Sequence, residues 1–401
     1  MNWPPASASP LTASFTPEEA GRALRPRRGL VSLECQGVGT EPFTLLACEP
    51  DLVLEGGPEE WPRLEEELAA RKRPGADLGL PDGAAIGWVG FDGQFRFGFY
   101  DAPHVFLHGP SAWLNPPEIS ESPAQPAFPS IPFASRIDEA RFVAMVRRAQ
   151  EYIAAGDIYQ VCLSHPFTAA FAGDAWPYYE AVLHHSPAPH AAFLDLGGTQ
   201  VVSGSPECFL SLSGRSITTR PIKGTRPRRA DAQLDQRYAY DLITSPKEIA
   251  ELVMITDLER NDLGRICEYG SVTVPELLKI ESFEHVHHLV STVTGTLRQS
   301  VSHPAALKAC FPGGSISGAP KKRALEIIAE LEPFPRGLYT GAIGYFGYNG
   351  ESRFNIAIRT AVFENGEASF HVGAGIVADS VPEREWQETL DKAAGLLQAA
   401  R

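Results

Sequence analysis

The sequence predicts an α+β fold of antiparallel sheets with helices packed outside them, and three observations carry that prediction. Strand-like apolar runs come in series and do not alternate strictly with helices, which disfavours a doubly wound parallel sheet. No strand–Gly-x-Gly-x-x-Gly–helix unit is present, which removes the dinucleotide-binding form of such a sheet. At 401 residues, with 43% hydrophobic and 21% charged residues, the chain has the composition and length to bury a large core.

Residues 1–20, rich in Pro, Ala and Ser, read as a disordered start. A first region, 21–115, holds short apolar runs at 30–35, 43–48 and 85–91 separated by Gly and Pro, which read as strands. Between them, 61–71 has helical spacing. The Pro/Ser-rich stretch 116–132 reads as a linker, and 133–401 as the larger region. It opens on an amphipathic helix over 137–155, with Phe142, Met145, Val146 and Ala149 at 3/4 spacing. Strands are expected at 159–167, 191–196, 201–202 and 208–212. Helices are expected at 232–244, 246–262, 305–310, 320–331 and 383–398, and late strands at 341–348, 354–364 and 369–378.

A net charge of −14 excludes nucleic acid and anionic membranes as natural partners, and an anionic ligand would need a local cationic pocket or a metal. No apolar run approaches the ~20 residues of a membrane span, and the N-terminus lacks the basic start and apolar centre of a signal peptide, so a cytoplasmic location is expected. The six cysteines have no C-x-x-C spacing and read as small core residues.

Within Arg-Pro-Ile-Lys-Gly-Thr-Arg-Pro-Arg at 220–228, Lys223 is flanked by Ile and Gly in a Pro-bounded run. In a cleft, desolvation would lower its pKa and leave some nucleophilic free amine; the plain alternative is a basic surface turn. Glu207 of Ser205-Pro206-Glu207 could donate a proton if brought beside it. Glu248 and Glu251 lie three apart on one expected helix, as do Glu385 and Glu388 on another. Each pair alone is ordinary for a solvated helix face, but two such helices facing each other would gather oxygen ligands suited to Mg²⁺. Lys392, four residues beyond Glu388, is either its i,i+4 partner or a cation for a substrate carboxylate. The Gly/Ser loop 311–319, which includes Ser315, enters a basic helix start and favours anions, although it is not a Walker sequence. Gly373-Ala374-Gly375 would let a ligand approach the backbone closely. In Glu284-His285-Val286-His287-His288 no Cys pair supports zinc, and one histidine acting as acid, base or hydrogen-bond donor is the better reading.

Taken together, Gly156-Asp157-Ile158-Tyr159-Gln160-Val161, Ser205-Pro206-Glu207, the 221–227 run, 257–265 (Asp-Leu-Glu-Arg-Asn-Asp-Leu-Gly-Arg), the 313–319 loop, Ile356-Ala357-Ile358-Arg359-Thr360 and 373–380 resemble the chorismate-utilising enzymes. The resemblance covers 137–397, with weaker similarity at 29–100, and implies a sandwich of large antiparallel sheets. Within the family, water-adding salicylate and isochorismate synthases carry a lysine at the place of Gln160. Anthranilate synthases typically have Ala at the place of Lys223, whereas aminodeoxychorismate synthases have Lys there. Ser32-Leu33-Glu34-Cys35 departs from the Leu-Leu-Glu-Ser element of tryptophan-inhibited members.

By motif, the resemblance implies a Mg²⁺ held by Glu248, Glu251, Glu385 and Glu388. It implies Glu207 as acid toward a departing 4-hydroxyl, Lys223 as covalent nucleophile at ring C2, and His288 as a hydrogen-bonding partner of the ring. Arg359, Tyr339, Lys392, Gly373 and Gly375, with Ser315 and Gln160, would bind the substrate. The implied reaction is amination of chorismate to 4-amino-4-deoxychorismate in the p-aminobenzoate branch of folate biosynthesis. No Gly-x-Cys-x-Gly glutaminase segment occurs, so ammonia is expected from a separate glutamine amidotransferase subunit. The alternatives are anthranilate synthase component I and a catalytically silent tryptophan-binding homologue.

Overall fold

The apolar runs of the sequence become strands of two antiparallel sheets. A computed structural model describes residues 11–12, 15–37, 40–75, 79–121, 123–124, 128–283 and 286–401. Along the first sheet the strands run Leu11–Thr12, Ala112–Trp113, His104–Leu107, Thr40–Ala47, Val31–Gly37, His190–Asp195, Thr199–Ser205, Thr360–Glu364, Glu367–Ile376, Gln160–Ala170 and Gly318–Ala319, with Ala134–Ser135 on a side branch. The second runs Ile222–Pro227, Val286–Thr296, Ser216–Arg220, Cys208–Ser213, Glu351–Ile356, Ala342–Gly347, Ala84–Val89, Phe95–Tyr100 and Leu52–Gly56, with Thr273–Ser282 paired to Val286–Thr296. Strands from before residue 116 and after residue 133 pair directly in both sheets: Val31–Gly37 with His190–Asp195, and Ala84–Val89 with Ala342–Gly347.

Strand alternation explains the layering, because successive side chains face opposite sides. Val31, Leu33, Ala192 and Leu194 of the first sheet meet Ile86, Ile343 and Tyr345 of the second in a central core. The outer face of the first sheet packs Phe193 and Phe363 with Trp176, Tyr178 and Leu396 of the helices Trp176–His185 and Pro382–Ala399. The outer face of the second packs Phe97 and Phe354 with Trp61, Leu64 and Leu307 of Trp61–Ala70 and His303–Cys310. This is the expected α+β sandwich with helices outside.

Several local expectations are corrected. The start expected to be disordered contains the helix Pro17–Leu24, closed by a capping box between Thr16 and Glu19; residues 1–10 and 13–14 lie outside the described residues. The expected linker ends against the core, where Ile131 is buried and donates its N–H to the Ala400 carbonyl. The helix Trp176–His185 has no polar stripe, since Trp176, Tyr178, Tyr179, Glu180 and Val182 are all buried, so its sequence shows no 3/4 pattern. The expected strand 354–364 is two strands, Glu351–Ile356 and Thr360–Glu364, in different sheets.

That split creates the feature on which the site is built. Two segments step from one sheet to the other side by side: Pro206-Glu207, leaving the first sheet, and 357–359, leaving the second. They are tied by Ile356 N–H to Glu207 O at 3.1 Å, Gly204 N–H to Arg359 O at 2.9 Å, and Ser205 Oγ–H to Ile356 O at 2.6 Å. Arg359 holds φ +49° in this turn, an unusual conformation for a residue with a side chain.

A buried ion pair braces the neighbouring end of the first sheet. Arg336 pairs with Glu332 at 2.7 Å and donates to Cys162 O, Ile316 O and Thr340 Oγ1, while Glu332 accepts from the Ser164 amide and hydroxyl. Arg336→Met would leave the Glu332 carboxylate buried and unpaired, so a loss of about 3–5 kcal/mol is expected. A urea midpoint that drops by much less would show that solvent reaches the pair.

Candidate active site

A β-bulge sets the position of Lys223. Ile222 and Lys223 pair with Val290 and Leu289, Thr225 resumes pairing at His288, and Gly224 between them is extra. Gly224 has φ +71°, and an added Cβ there would lie 2.5 Å from Leu242 and 3.0 Å from the Glu248 carboxyl carbon, so both conformation and space call for glycine. Gln160, buried on the first sheet, comes to the same spot. A Cβ placed on Gly375 would stand 2.7 Å from Gln160 Nε2 and 3.6 Å from Lys223 Nζ. Gly375 thus leaves open the space where lysine and glutamine converge.

Glu207 is buried on the crossing segment, and burial raises its carboxyl above the ordinary range; Ser315, Lys223 and the Ile222 amide oppose that shift without cancelling it. Glu207 is thus a buried carboxyl held above its ordinary range beside a cation. Gln160 Oε1 is buried with no hydrogen-bond partner. His288 is buried with Nδ1 3.0 Å from Thr225 Oγ1; burial first, then the Arg359 charge, lower it to about 4, so its imidazole is neutral at neutral pH. Burial alone lowers the Arg359 guanidinium, and among the described residues no carboxylate pairs with it. An unpaired, largely desolvated arginine is a receptor for an anion.

Opposite, a Cβ on Gly373 would stand 2.8 Å from Tyr339 Oη, and Lys392 Nζ donates to Gly373 O at 2.9 Å. Lys392 also makes its i,i+4 pair with Glu388 at 2.7 Å, the plainer of its two sequence readings. The tyrosine ring stacks on His371 at 5.3 Å.

The expected free amine of Lys223 is corrected. Burial does work against its charge, but Cys162, Glu251, Glu207 and Glu388 outweigh it and raise the ammonium above its ordinary value. Glu251 is nearest among the paired carboxylates, at 3.5 Å.

The four glutamates share neighbours without forming a ligand set: among the described residues no three His, Cys, Asp or Glu side chains are grouped to hold a metal. Lys247 reaches between the helices instead, 3.6 Å from Glu385 and 4.0 Å from Glu251, and it feels Glu388 and Glu248 as well. Arg226 lies 3.6 Å from Glu248. The donors nevertheless suit a hard divalent cation. Glu251 Oε1 and Glu385 Oε2 are buried with no hydrogen-bond partner, and both helices offer carboxylate oxygen. Lys247 is half-exposed and free to swing out. Of the histidine cluster, His287 is engaged by Asp235 and Ser282, while Glu284 and His285 lie outside the described residues.

Sequence reasoning passed over Lys247, Cys162 and the Glu332–Arg336 pair. Cys162 could have been found, because it follows Gln160 by two residues on a strand and must face the same side. Lys247 carried no signal beyond adjacency to Glu248.

A buried carboxyl, a buried lysine, an arginine with no carboxylate partner among the described residues and two glutamate-bearing helices are the chemistry of a site for an anionic small molecule. The family description "chorismate binding enzyme" matches residues 57–398, and the chain belongs to that family. It is 47% identical over 267 residues to anthranilate synthase component 1 of Haloarcula marismortui, covering 67% of this chain and 53% of that protein. It is 45% identical over 267 residues to aminodeoxychorismate synthase component 1 of Bacillus subtilis, covering 67% and 57%. The matched stretch therefore spans about half the length of these relatives. The crystal structure of anthranilate synthase component I from Streptococcus pneumoniae superposes with a TM-score of 0.78 at 31% identity, over 90% of this chain and 93% of that one. Among the described residues no helix is long and apolar enough to cross a membrane.

Proposed function

We propose that the protein aminates chorismate at ring carbon 4, giving 4-amino-4-deoxychorismate, with Lys223 as a covalent nucleophile. The observation that carries this reading is the convergence of Lys223, Gln160 and the open face of Gly375, with the acid Glu207 on the adjoining crossing segment. Arg359, Tyr339 and Lys392 bind and orient the carboxylates of the substrate. Glu207 protonates the 4-hydroxyl as it leaves, the Lys223 amine adds at C2, and ammonia then adds at C4 as the C2–N bond to lysine breaks. Splitting one displacement into two is the benefit of a covalent route. His288, neutral, supplies a hydrogen bond to the ring without adding charge.

Glu248, Glu251, Glu385 and Glu388 would hold Mg²⁺, which supplies positive charge for a substrate carboxylate and for the glutamates themselves. Engaging Glu251 and Glu388 would remove two of the influences that hold Lys223 as the ammonium, and burial favours the free amine. Magnesium binding is expected in calorimetry of the purified chain, and Glu251→Gln with Glu385→Gln should weaken it by at least roughly the 10–100-fold seen for supporting residues of metal sites. Unchanged binding in the double variant, or full turnover in excess chelator, would remove the metal from this account.

The relatives' names support a second reading equally: an anthranilate synthase at 47% identity and an aminodeoxychorismate synthase at 45% are both among them. Product identification separates the two. With chorismate, Mg²⁺ and ammonium, 4-amino-4-deoxychorismate is expected; the fluorescence of anthranilate as main product would overturn the proposal.

In both readings nitrogen enters as ammonia from a separate glutamine amidotransferase. Glutamine alone is expected to give no product and ammonium at raised pH to give it, because NH₃ is the attacking form. Adding the amidotransferase should make glutamine effective, and glutamine hydrolysis by the chain unaided would contradict this.

A further inference from the structure

Cys162 lies two residues beyond Gln160 on the strand Gln160–Ala170, and its register partner is Gly375, which offers no side chain to cover it. The thiol donates to the Ser315 carbonyl at 3.6 Å, and Gln160 Nε2 lies 3.9 Å from the sulfur. One further polar atom of this wall is unpartnered: Gln160 Oε1, on a side chain 1% exposed. A Cβ on that same Gly375 would stand 3.6 Å from Lys223 Nζ, so the lysine reaches the space that faces the thiol.

The other cysteines differ. Cys35, Cys208, Cys267 and Cys310 are buried, and Cys48, partly exposed, lies beside the Arg27 and Glu49 side chains away from this cleft. Burial pushes Cys35 up to about 12 and Cys208 to about 11, which suppresses the reactive thiolate.

We propose that Cys162 is a modification site: a thiol on the wall of the substrate cleft, open to small electrophiles and hydroperoxides, whose modification closes the cleft to substrate. The proposal rests on the reading of this cleft as the chorismate site. The thiolate is the attacking form, and this thiol, unlike the four buried ones, is partly exposed. With a hydroperoxide, sulfur attacks one peroxide oxygen, the O–O bond breaks, and hydroxide or alkoxide leaves and takes up a proton. Sulfur is oxidised to the sulfenic acid and the peroxide is reduced. The added oxygen then lies across from Gly375, in the space toward which Lys223 reaches. A small thiol restores the site by attacking the sulfenic sulfur, expelling water, and then reducing the mixed disulfide.

The test uses the full chain with iodoacetamide and with hydrogen peroxide, each followed by peptide mass mapping, with and without chorismate and Mg²⁺. The expected result is selective labelling of Cys162 ahead of Cys48, protection by chorismate, and loss of turnover that dithiothreitol reverses after peroxide. Cys162→Ser, measured against its own untreated rate, should lose sensitivity, and Cys48→Ser should keep it. Mapping on the unsubstituted chain stands even if Cys162→Ser folds poorly. Cys162 left unlabelled while Cys48 reacts would overturn the proposal. Labelling of Cys162 that chorismate does not slow would uphold the thiol's reactivity and overturn the assignment of the cleft to chorismate.

Discussion

Lys223→Ala is expected to abolish or sharply slow formation of 4-amino-4-deoxychorismate, by at least about a hundredfold, the scale on which groups that join the chemistry act. The loss should be in kcat, because Arg359, Tyr339 and Lys392 still bind the substrate and the lysine acts on bonds that change only during reaction. Folding should survive: Lys223 lies in a pairing strand whose backbone bonds to Val286–Thr296 do not depend on the side chain, and Lys247 still lies near the Glu251 carboxylate it leaves behind. The measurement is the rate of ammonia-dependent product formation beside a thermal melt. Near-normal turnover from a folded Lys223→Ala chain would end the covalent role and move the weight of the argument to the anthranilate reading.

Glu207→Gln should cost roughly 10²–10⁴-fold, the usual contribution of a general acid. The sign of its pH dependence follows from burial. The folded carboxyl is raised, so it keeps its proton above the ordinary carboxylate range, and the acid form is lost only as pH climbs through that raised value. Free NH₃ increases in the same direction. Their product is a bell, with the falling limb owed to Glu207. In Glu207→Gln, whose amide does not titrate, the residual rate should lose that limb and follow ammonia alone. A falling limb unchanged in the variant would assign it to another group.

Much of the site was legible because its chemistry sits in contiguous motifs. Glycines 224, 373 and 375 mark where backbone must turn tightly or approach closely, and the paired glutamates follow helix periodicity. The fold class was legible from serial strand runs. What was hidden depended on three-dimensional surroundings. The net effect on Lys223 needed the count of carboxylates around it, which spacing does not report. Thr273–Ser282 alternates half-buried and exposed residues with Glu and Lys among them, so it lacks the apolar run by which other strands were found. The helix Trp176–His185 is buried nearly all round and so has no periodic contrast to detect. The break at 357–359 looked like one long strand because apolar residues run on through Ile356, Ala357 and Ile358, and the change of sheet leaves no mark in composition.

That break makes the catalytic geometry a gauge of how the two sheets sit on one another. Glu207 and Arg359 ride on neighbouring strands of chain that each have one foot in either sheet, stitched together by Gly204, Ser205 and Ile356. Sliding one sheet by a fraction of an ångström therefore displaces the proposed proton donor and the proposed anion receptor in concert. Ile343 and Tyr345, in the core between the sheets, line the slip plane itself. Trimming either is the kind of change that should blunt turnover at temperatures where the far-ultraviolet signature of the sandwich is still whole.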